Sequence, residues 1–171
     1  MQHTRSQEKQ IIRSIVRFAA FGLIFSPLFL FSSTTLAAQS QIGPHLGVNF
    51  DGEDFFIGGN GHFPVGSGGN TPIYLNPRVD FYLRDNITLI GMNGNFYFQF
   101  GTENSDLRFH AGGGLQILYI SNNTADNFDL GINLLGGLKF SAAGIRWLTQ
   151  AEISINGGTD FEVLFGPIFN L

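Results

Sequence analysis

From about residue 42 to the last residue, apolar positions alternate with polar or glycine positions almost without a break. The clearest run is 73–83, where the odd positions are Ile73, Leu75, Pro77, Val79, Phe81 and Leu83 and the even ones are Tyr74, Asn76, Arg78, Asp80 and Tyr82. Successive side chains of a strand point to opposite faces, so this pattern predicts a strand with one apolar face and one polar or amphipathic face. Comparable runs near 42–51, 55–65, 72–84, 87–100, 107–120, 127–140, 145–156 and 161–171 predict eight strands. The connections at 51–54, 66–70, 84–86, 101–106, 121–126, 141–144 and 156–160 are rich in Gly, Asn, Asp and Ser, residues that tolerate turn geometry. Connections this short join antiparallel neighbours, which gives an up-and-down meander. No run has the i, i+3, i+4 spacing of an amphipathic helix, so almost no helix is expected after about residue 40.

The alternation also sorts the chemistry. Leu46, Val48, Phe50, Ile57, Phe96, Phe98, Phe109, Leu130, Ile132, Phe161 and Phe165 fall on the apolar face, and His45, Asn60, His62, Asn93, Asn95, His110, Gln116 and Gln150 on the other. A soluble barrel turns the apolar face inward and a membrane barrel turns it outward; the period alone admits both. Volume separates them, because an eight-stranded barrel has an interior wide enough only for its own side chains or one small ligand. Most of the phenylalanines after residue 37 lie on the apolar face, too many bulky rings for that interior. Turned outward, the rings are covered by lipid, while Gly43, Gly47, Gly58, Gly91, Gly112, Gly114, Gly131, Gly137 and Gly166 make room inside for the longer polar side chains. Strands of about 11 residues tilted by roughly 40° also match the apolar thickness of an outer membrane. The expected fold class is therefore all-β, an eight-stranded antiparallel up-and-down transmembrane β-barrel.

Proline placement agrees. Pro44, Pro64, Pro72, Pro77 and Pro167 fall at or near one end of the barrel if the strands alternate direction, and a rim is where a residue without a donor is best accepted. Pro77 sits several residues into its strand, so a bulge or a missing ladder bond is expected there.

Ahead of the barrel, residues 1–17 carry Arg5, Lys9, Arg13 and Arg17 against one acid, Glu8, and residues 18–31 are almost wholly apolar. That is the order of a secretory signal peptide. Thr35, Leu36 and Ala37 fit a small-x-small cleavage site, so the chain is expected to divide into a signal peptide, 1–37, and a barrel domain, 38–171. Removing the leader leaves five basic residues against twelve acidic ones, a formal charge of −7. Nucleic acid is excluded as an expected partner, since it calls for a basic footprint. With no cysteine in the chain there is no disulfide, thiolate metal site or cysteine-borne lipid anchor, and a closed hydrogen-bonded ladder is the remaining source of stability.

Several stretches carry a family likeness: Gly43, Pro44, His45, Leu46, Gly47 and Val48; the run 74–82; Ala111, Gly112, Gly113, Gly114 and Leu115; the run 130–140; and the alternating tail 161–171. On these the chain resembles the small outer-membrane β-barrel families of Gram-negative bacteria, the porin-like and OmpA-type eight-stranded transmembrane domains. The resemblance implies export to the cell outer membrane, contact with outer-membrane lipid and lipopolysaccharide, and a monomer. It also implies delivery to the barrel-insertion machinery through the C-terminal strand. In that family the last strand ends in an aromatic residue; here the last residue is Leu171, with Phe169 two before it.

The polar face carries four cations, Arg78, Arg108, Lys139 and Arg146, and four anions, Asp80, Asp129, Glu152 and Glu162. Unpaired buried charge is very costly, so these eight are expected to pair inside the lumen and plug it. His45, His62 and His110 lie on three separate runs with no H-x-H or H-E-x-x-H spacing, and are expected as hydrogen-bonded lumen fillers. No metal or other cofactor is expected. The resemblance brings in lipid-modifying outer-membrane enzymes as well, among which a deacylase would show a His-x-Ser pair near a carboxylate. His45-Leu46-Gly47, His62-Phe63-Pro64 and His110-Ala111-Gly112 do not fit, and neither a Gly-x-Ser-x-Gly elbow nor a P-loop occurs. Asp51, Glu53, Asp54, Asp85, Asp126 and Asp160 lie in short connections at the end expected to face outside, and read as solvated turn residues.

The function expected from these residues is a structural or porin-like envelope role, with a polar, side-chain-filled lumen and no catalysis. One alternative is a soluble periplasmic lipocalin-like barrel around an apolar ligand, which requires Arg78, Asp80, Lys139 and Glu152 on the solvent side. The other is a lipid-modifying outer-membrane enzyme.

Overall fold

The computed structural model describes residues 39–85, 87–101, 106–121 and 126–171. The alternating runs form β1 (Gln41–Asn49), β2 (Asp54–Gly68), β3 (Thr71–Leu83), β4 (Thr88–Phe100), β5 (Leu107–Ser121), β6 (Asp126–Ala142), β7 (Ile145–Ile155) and β8 (Thr159–Asn170). Each pairs antiparallel with its sequence neighbours, and β1 pairs with β8, so the sheet closes on itself. Closure removes the edge that an open sheet would present. No helix occurs among the described residues. The signal peptide expected over 1–37 and the inner residues of the β4–β5 and β5–β6 connections lie outside them.

The turns carry the required backbone chemistry. Between β6 and β7 the two linking residues, Ala143 (φ 53°) and Gly144 (φ 77°), are both left-handed. A two-residue hairpin loop of type I′ needs positive φ at both positions, because only that twist matches the flanking strands.

The apolar face points out. Leu46, Phe55, Phe96, Phe109, Leu115, Phe128, Leu130 and Leu134 are all more than half exposed, Leu130 most of all at 76%. Met92 shares their alternation and is nonetheless buried. The charges point in: Arg78 is 1% exposed, Asp80 0%, Glu152 1% and Lys139 2%. This arrangement is the reverse of what a soluble lipocalin-like carrier requires. An outer wall of bare aliphatic and aromatic side chains around a charged interior fits hydrocarbon, where every backbone group must be paired within the protein.

The interior is more mixed than the sequence suggests. Phe56, Tyr82, Leu89, Leu148, Leu164 and Ile168 form one buried apolar cluster, and Tyr74, Tyr97 and Leu135 a second. The lumen is therefore filled by apolar layers as well as polar ones, a correction to the polar lumen expected. These residues sit at inward positions of strands whose other inward positions are polar or Gly, so the period is intact and only the chemistry departs from it. Glycines make room for the rings: a Cβ at Gly47 would fall 2.2 Å from the Phe56 ring and one at Gly137 2.7 Å from the His110 ring, whereas one at Gly112 would meet the β4 backbone, 2.0 Å from the Phe96 carbonyl oxygen.

Pro77 interrupts one ladder and leaves the other intact. On the β4 side the register runs Asn76↔Asn95, Pro77↔Gly94, Arg78↔Asn93. On the β2 side it stops at Asn60↔Arg78 and resumes at Phe63↔Leu75, so Pro77 and Asn76 have no ladder partner there. The Asn76 side-chain amide donates instead to the Gly61 carbonyl at 2.7 Å, satisfying the group that faces the donorless proline. The β2–β3 bulge lies elsewhere, between Pro64 and Gly66.

Gly112→Ala is expected to lower the unfolding free energy of the detergent-refolded barrel by about 1–3 kcal/mol, because its Cβ would collide with the β4 backbone at Phe96 and Tyr97. Gly94→Ala, on the outer face with open space around its Cβ position, should leave the urea midpoint unchanged or slightly raised.

Candidate functional site

Arg78 is the centre of the lumen. It stands on β3, inward and fully buried, and every guanidinium nitrogen has a carboxylate partner. Nε donates to Asp80 Oδ2 at 2.8 Å, Nη1 to Glu152 Oε2 at 3.1 Å, and Nη2 to both Glu152 Oε1 at 3.0 Å and Glu162 Oε2 at 3.1 Å. The grip on Glu152 is bidentate, the strong geometry of arginine with a carboxylate. β3 and β7 lie four strands apart in either direction around the ring, so the bond from Arg78 to Glu152 crosses the barrel. Glu152 and Glu162 are register partners on β7 and β8, and like charges directly opposite repel. Arg78 Nη2, shared between them, turns that repulsion into a clamp.

Three carboxylates meet one guanidinium, and neutral donors take up the remaining acceptor positions. Tyr82 Oη donates to Glu162 Oε1 at 2.5 Å and Asn49 Nδ2 to the same oxygen at 3.2 Å. Asn93 Nδ2 donates to Asp80 Oδ2 at 2.9 Å, and Gln150 Nε2 to Glu152 Oε2 at 3.2 Å. His45 Nε2 lies 2.6 Å from Asp80 Oδ1, with Asn60 Nδ2 2.9 Å from its other ring nitrogen. All six carboxylate oxygens thus have a partner, as groups cut off from water require.

The other four charged residues of the predicted network stand apart from this cluster. Lys139 on β6 is buried, but its Nζ donates to Gln41 Oε1 at 3.0 Å and to Tyr97 Oη at 2.8 Å, and it lies 5.0 and 5.2 Å from the ring centroids of Tyr74 and Tyr97. Those rings stack 5.2 Å apart. A desolvated ammonium over aromatic faces is held by the ring quadrupoles, so no carboxylate is needed. Lys139 is opposite Arg108 in the register, both near the proline end of the barrel, away from the acids. Arg108 and Arg146 are half-buried, and Arg146 makes no ion pair with a described residue. Asp129 has the inward parity, yet lies near the opposite end of β6 and is exposed. The central cluster thus holds one of the four cations with three of the four anions, because pairing depends on height along the lumen as well as on which face a residue occupies.

The three described histidines, His45, His62 and His110, are in the lumen. Besides His45 on Asp80, His62 Nδ1 is 2.9 Å from Tyr97 Oη, and His110 Nε2 is 3.1 Å from Gln150 Oε1. Tyr97 Oη accepts from Lys139 and so links the buried ammonium to the His62 ring. The parts played by His45 and Tyr82 at the carboxylates were not anticipated from sequence; the signal available was their shared inward parity with Arg78 and Asp80. At the end opposite the prolines, Arg84 is bound to Asp54 across the β2–β3 pair.

No protein-family model and no curated protein matches the sequence. Solved structures do match in fold. The N-terminal β-barrel domain of Pseudomonas aeruginosa OprF aligns with a TM-score of 0.55 at 17% identity, over 77% of this chain and 97% of that one. The chain has the fold of the small eight-stranded outer-membrane barrels. The outer-membrane enzyme PagL aligns with a TM-score of 0.53 at 10% identity, covering 77% and 99% of the two chains. Neisserial surface protein A aligns at 0.50 and 10%, covering 78% and 95%. One of these outer-membrane barrels is an enzyme, so the fold by itself leaves catalysis open and the side chains must decide.

Arg78→Ala leaves three buried carboxylates without their cation and should destabilise the barrel by about 3–5 kcal/mol. The check is the urea unfolding midpoint in detergent, with Glu152→Gln in the Arg78→Ala background expected to recover part of the loss. An unchanged midpoint for Arg78→Ala would contradict the role assigned to the cluster.

Proposed function

We propose that this protein is a structural barrel of the outer membrane, closed to solutes by its own side chains and without catalytic activity. The observation that carries this reading is the bond from Arg78 to Glu152 across the lumen, in an interior otherwise filled by two apolar clusters and by buried polar side chains. A conducting pore needs a continuous water path, and an eight-stranded barrel is too narrow to hold both that path and a packed interior. The non-enzymatic reading rests on the three histidines, which are buried in the lumen and engaged by Asp80, Tyr97 and Gln150, away from the surface where a lipid substrate would lie. The basic and apolar order of residues 1–31 supports export, with the mature chain beginning near Ala38. Membrane lipid and lipopolysaccharide surround the outer wall, the insertion machinery takes the C-terminal strand, and the barrel works as a monomer.

Cell fractionation should place the protein with the outer membrane, and its unboiled band should migrate differently from the boiled one, as expected of a barrel that survives detergent. In planar bilayers it should show no steady conductance. A stable open current would overturn the closed-lumen reading while leaving the membrane location intact.

A further inference from the structure

Three of the five basic residues after residue 37 stand together at the proline end of the lumen. Lys139 on β6 is directly opposite Arg108 on β5; its partner on β7 is Leu148, and Arg146 stands two residues from that position. All three have the inward parity, so they form one direct and one diagonal pair of like charges on neighbouring strands, which is destabilising without an anion among them. The same lumen meets this problem with the opposite sign. Glu152 and Glu162 are also register partners, and there the protein supplies the counter-ion, because Arg78 reaches across and binds both. At the basic end no described acid plays that part: Asp106, at the foot of β5, is exposed, and neither Lys139 nor Arg146 makes an ion pair with a described residue.

Lys139 is buried, and the rings of Tyr74 and Tyr97 hold it without a carboxylate, so its charge is left uncancelled. An ammonium has three N–H donors. Two are taken by Gln41 Oε1 and Tyr97 Oη, and the third has no acceptor among the described residues. Gln41 in turn donates to Asn170 Oδ1 at 3.1 Å, across a terminal rung of the β1–β8 ladder, so the ammonium lies one side chain in from the end of the lumen. Arg108 and Arg146 are half-buried at the same end, within reach of solvent. A guanidinium presents a fork of donors that matches a phosphate, and an ammonium adds a point charge. Cations on three adjacent strands suit a tetrahedral oxyanion, whose several oxygens can meet them from different sides. We propose that the proline-end mouth of the lumen binds one soluble phosphate group, with Arg146 and Lys139 as its direct ligands and Arg108 adding its charge to their field. The phosphate takes the place in the basic trio that Arg78 takes between the two glutamates. The site uses lumen residues only, so it holds or fails independently of the membrane reading.

The barrel is folded in maltoside micelles, which carry no phosphate, and sodium phosphate is titrated in at constant ionic strength. The side-chain Nε–Hε resonances of Arg78, Arg84, Arg108 and Arg146, the arginines after residue 37, are followed by NMR. The expected result is a saturable shift at Arg146 and Arg108 at one phosphate per barrel, with Arg84, bound to Asp54 at the opposite end, unmoved. Lys139→Met keeps an unbranched stem and removes the charge, and should weaken the binding about tenfold, roughly 1.4 kcal/mol. If that variant does not fold, Arg146→Lys, which keeps the charge and loses the fork, should weaken it as read at Arg108. Absence of any shift overturns the site. A non-saturating drift of all four arginines overturns it too, since the salt is then only screening their charges. Phosphatidylglycerol is added to separate micelles without phosphate. A shift at Arg146 there, with no saturable phase for inorganic phosphate, assigns the mouth to a lipid headgroup and also overturns the proposal.

Discussion

Pairing of the backbone governs this molecule. A chain that crosses hydrocarbon has no water to satisfy its amides and carbonyls, so the ladder must close and each gap in it must be met from within. β1 bonded to β8 supplies the closure. Pro77, which cannot donate, is tolerated because the neighbouring Asn76 amide reaches the Gly61 carbonyl. Where Pro44 and Pro167 face the β1–β8 seam, the pairing is interrupted between Ile42↔Phe169 and Leu46↔Phe165.

Closure with only eight strands leaves a narrow interior, and that narrowness decides the lumen's chemistry. Phe56 and Tyr82 fit against Gly47 and Gly91, and Tyr74 fits by stacking on Tyr97. Buried charges come with partners, since an unpaired charge in a packed interior is costly. Arg78 meets that condition by binding three carboxylates from β3, β7 and β8, and neutral donors from Tyr82, Asn49, Asn93 and Gln150 complete their shells. The resulting cross-brace joins strands on opposite sides of the ring, so it stiffens the barrel as it fills it. Lys139 shows a second solution, an ammonium held by two tyrosines and a glutamine. These interactions make the interior a structural core, and the outer wall becomes the surface through which the protein meets its surroundings.

The eight strands, their meander order and the outward aromatic face were legible in the sequence, because a period of two and short turn-rich connections are local properties. Arg78, Asp80, Glu152 and Glu162 could be assigned to one face on the same ground. Their assembly around one guanidinium, the desertion of that cluster by Lys139 and the exposure of Asp129 were not legible. Those depend on strand register and tilt, which set the height at which side chains from distant strands meet. The apolar layers inside the lumen were missed for a related reason: alternation names the face a residue occupies, whereas the space left by Gly47 or Gly91 determines whether Phe56 or Tyr82 can fill it.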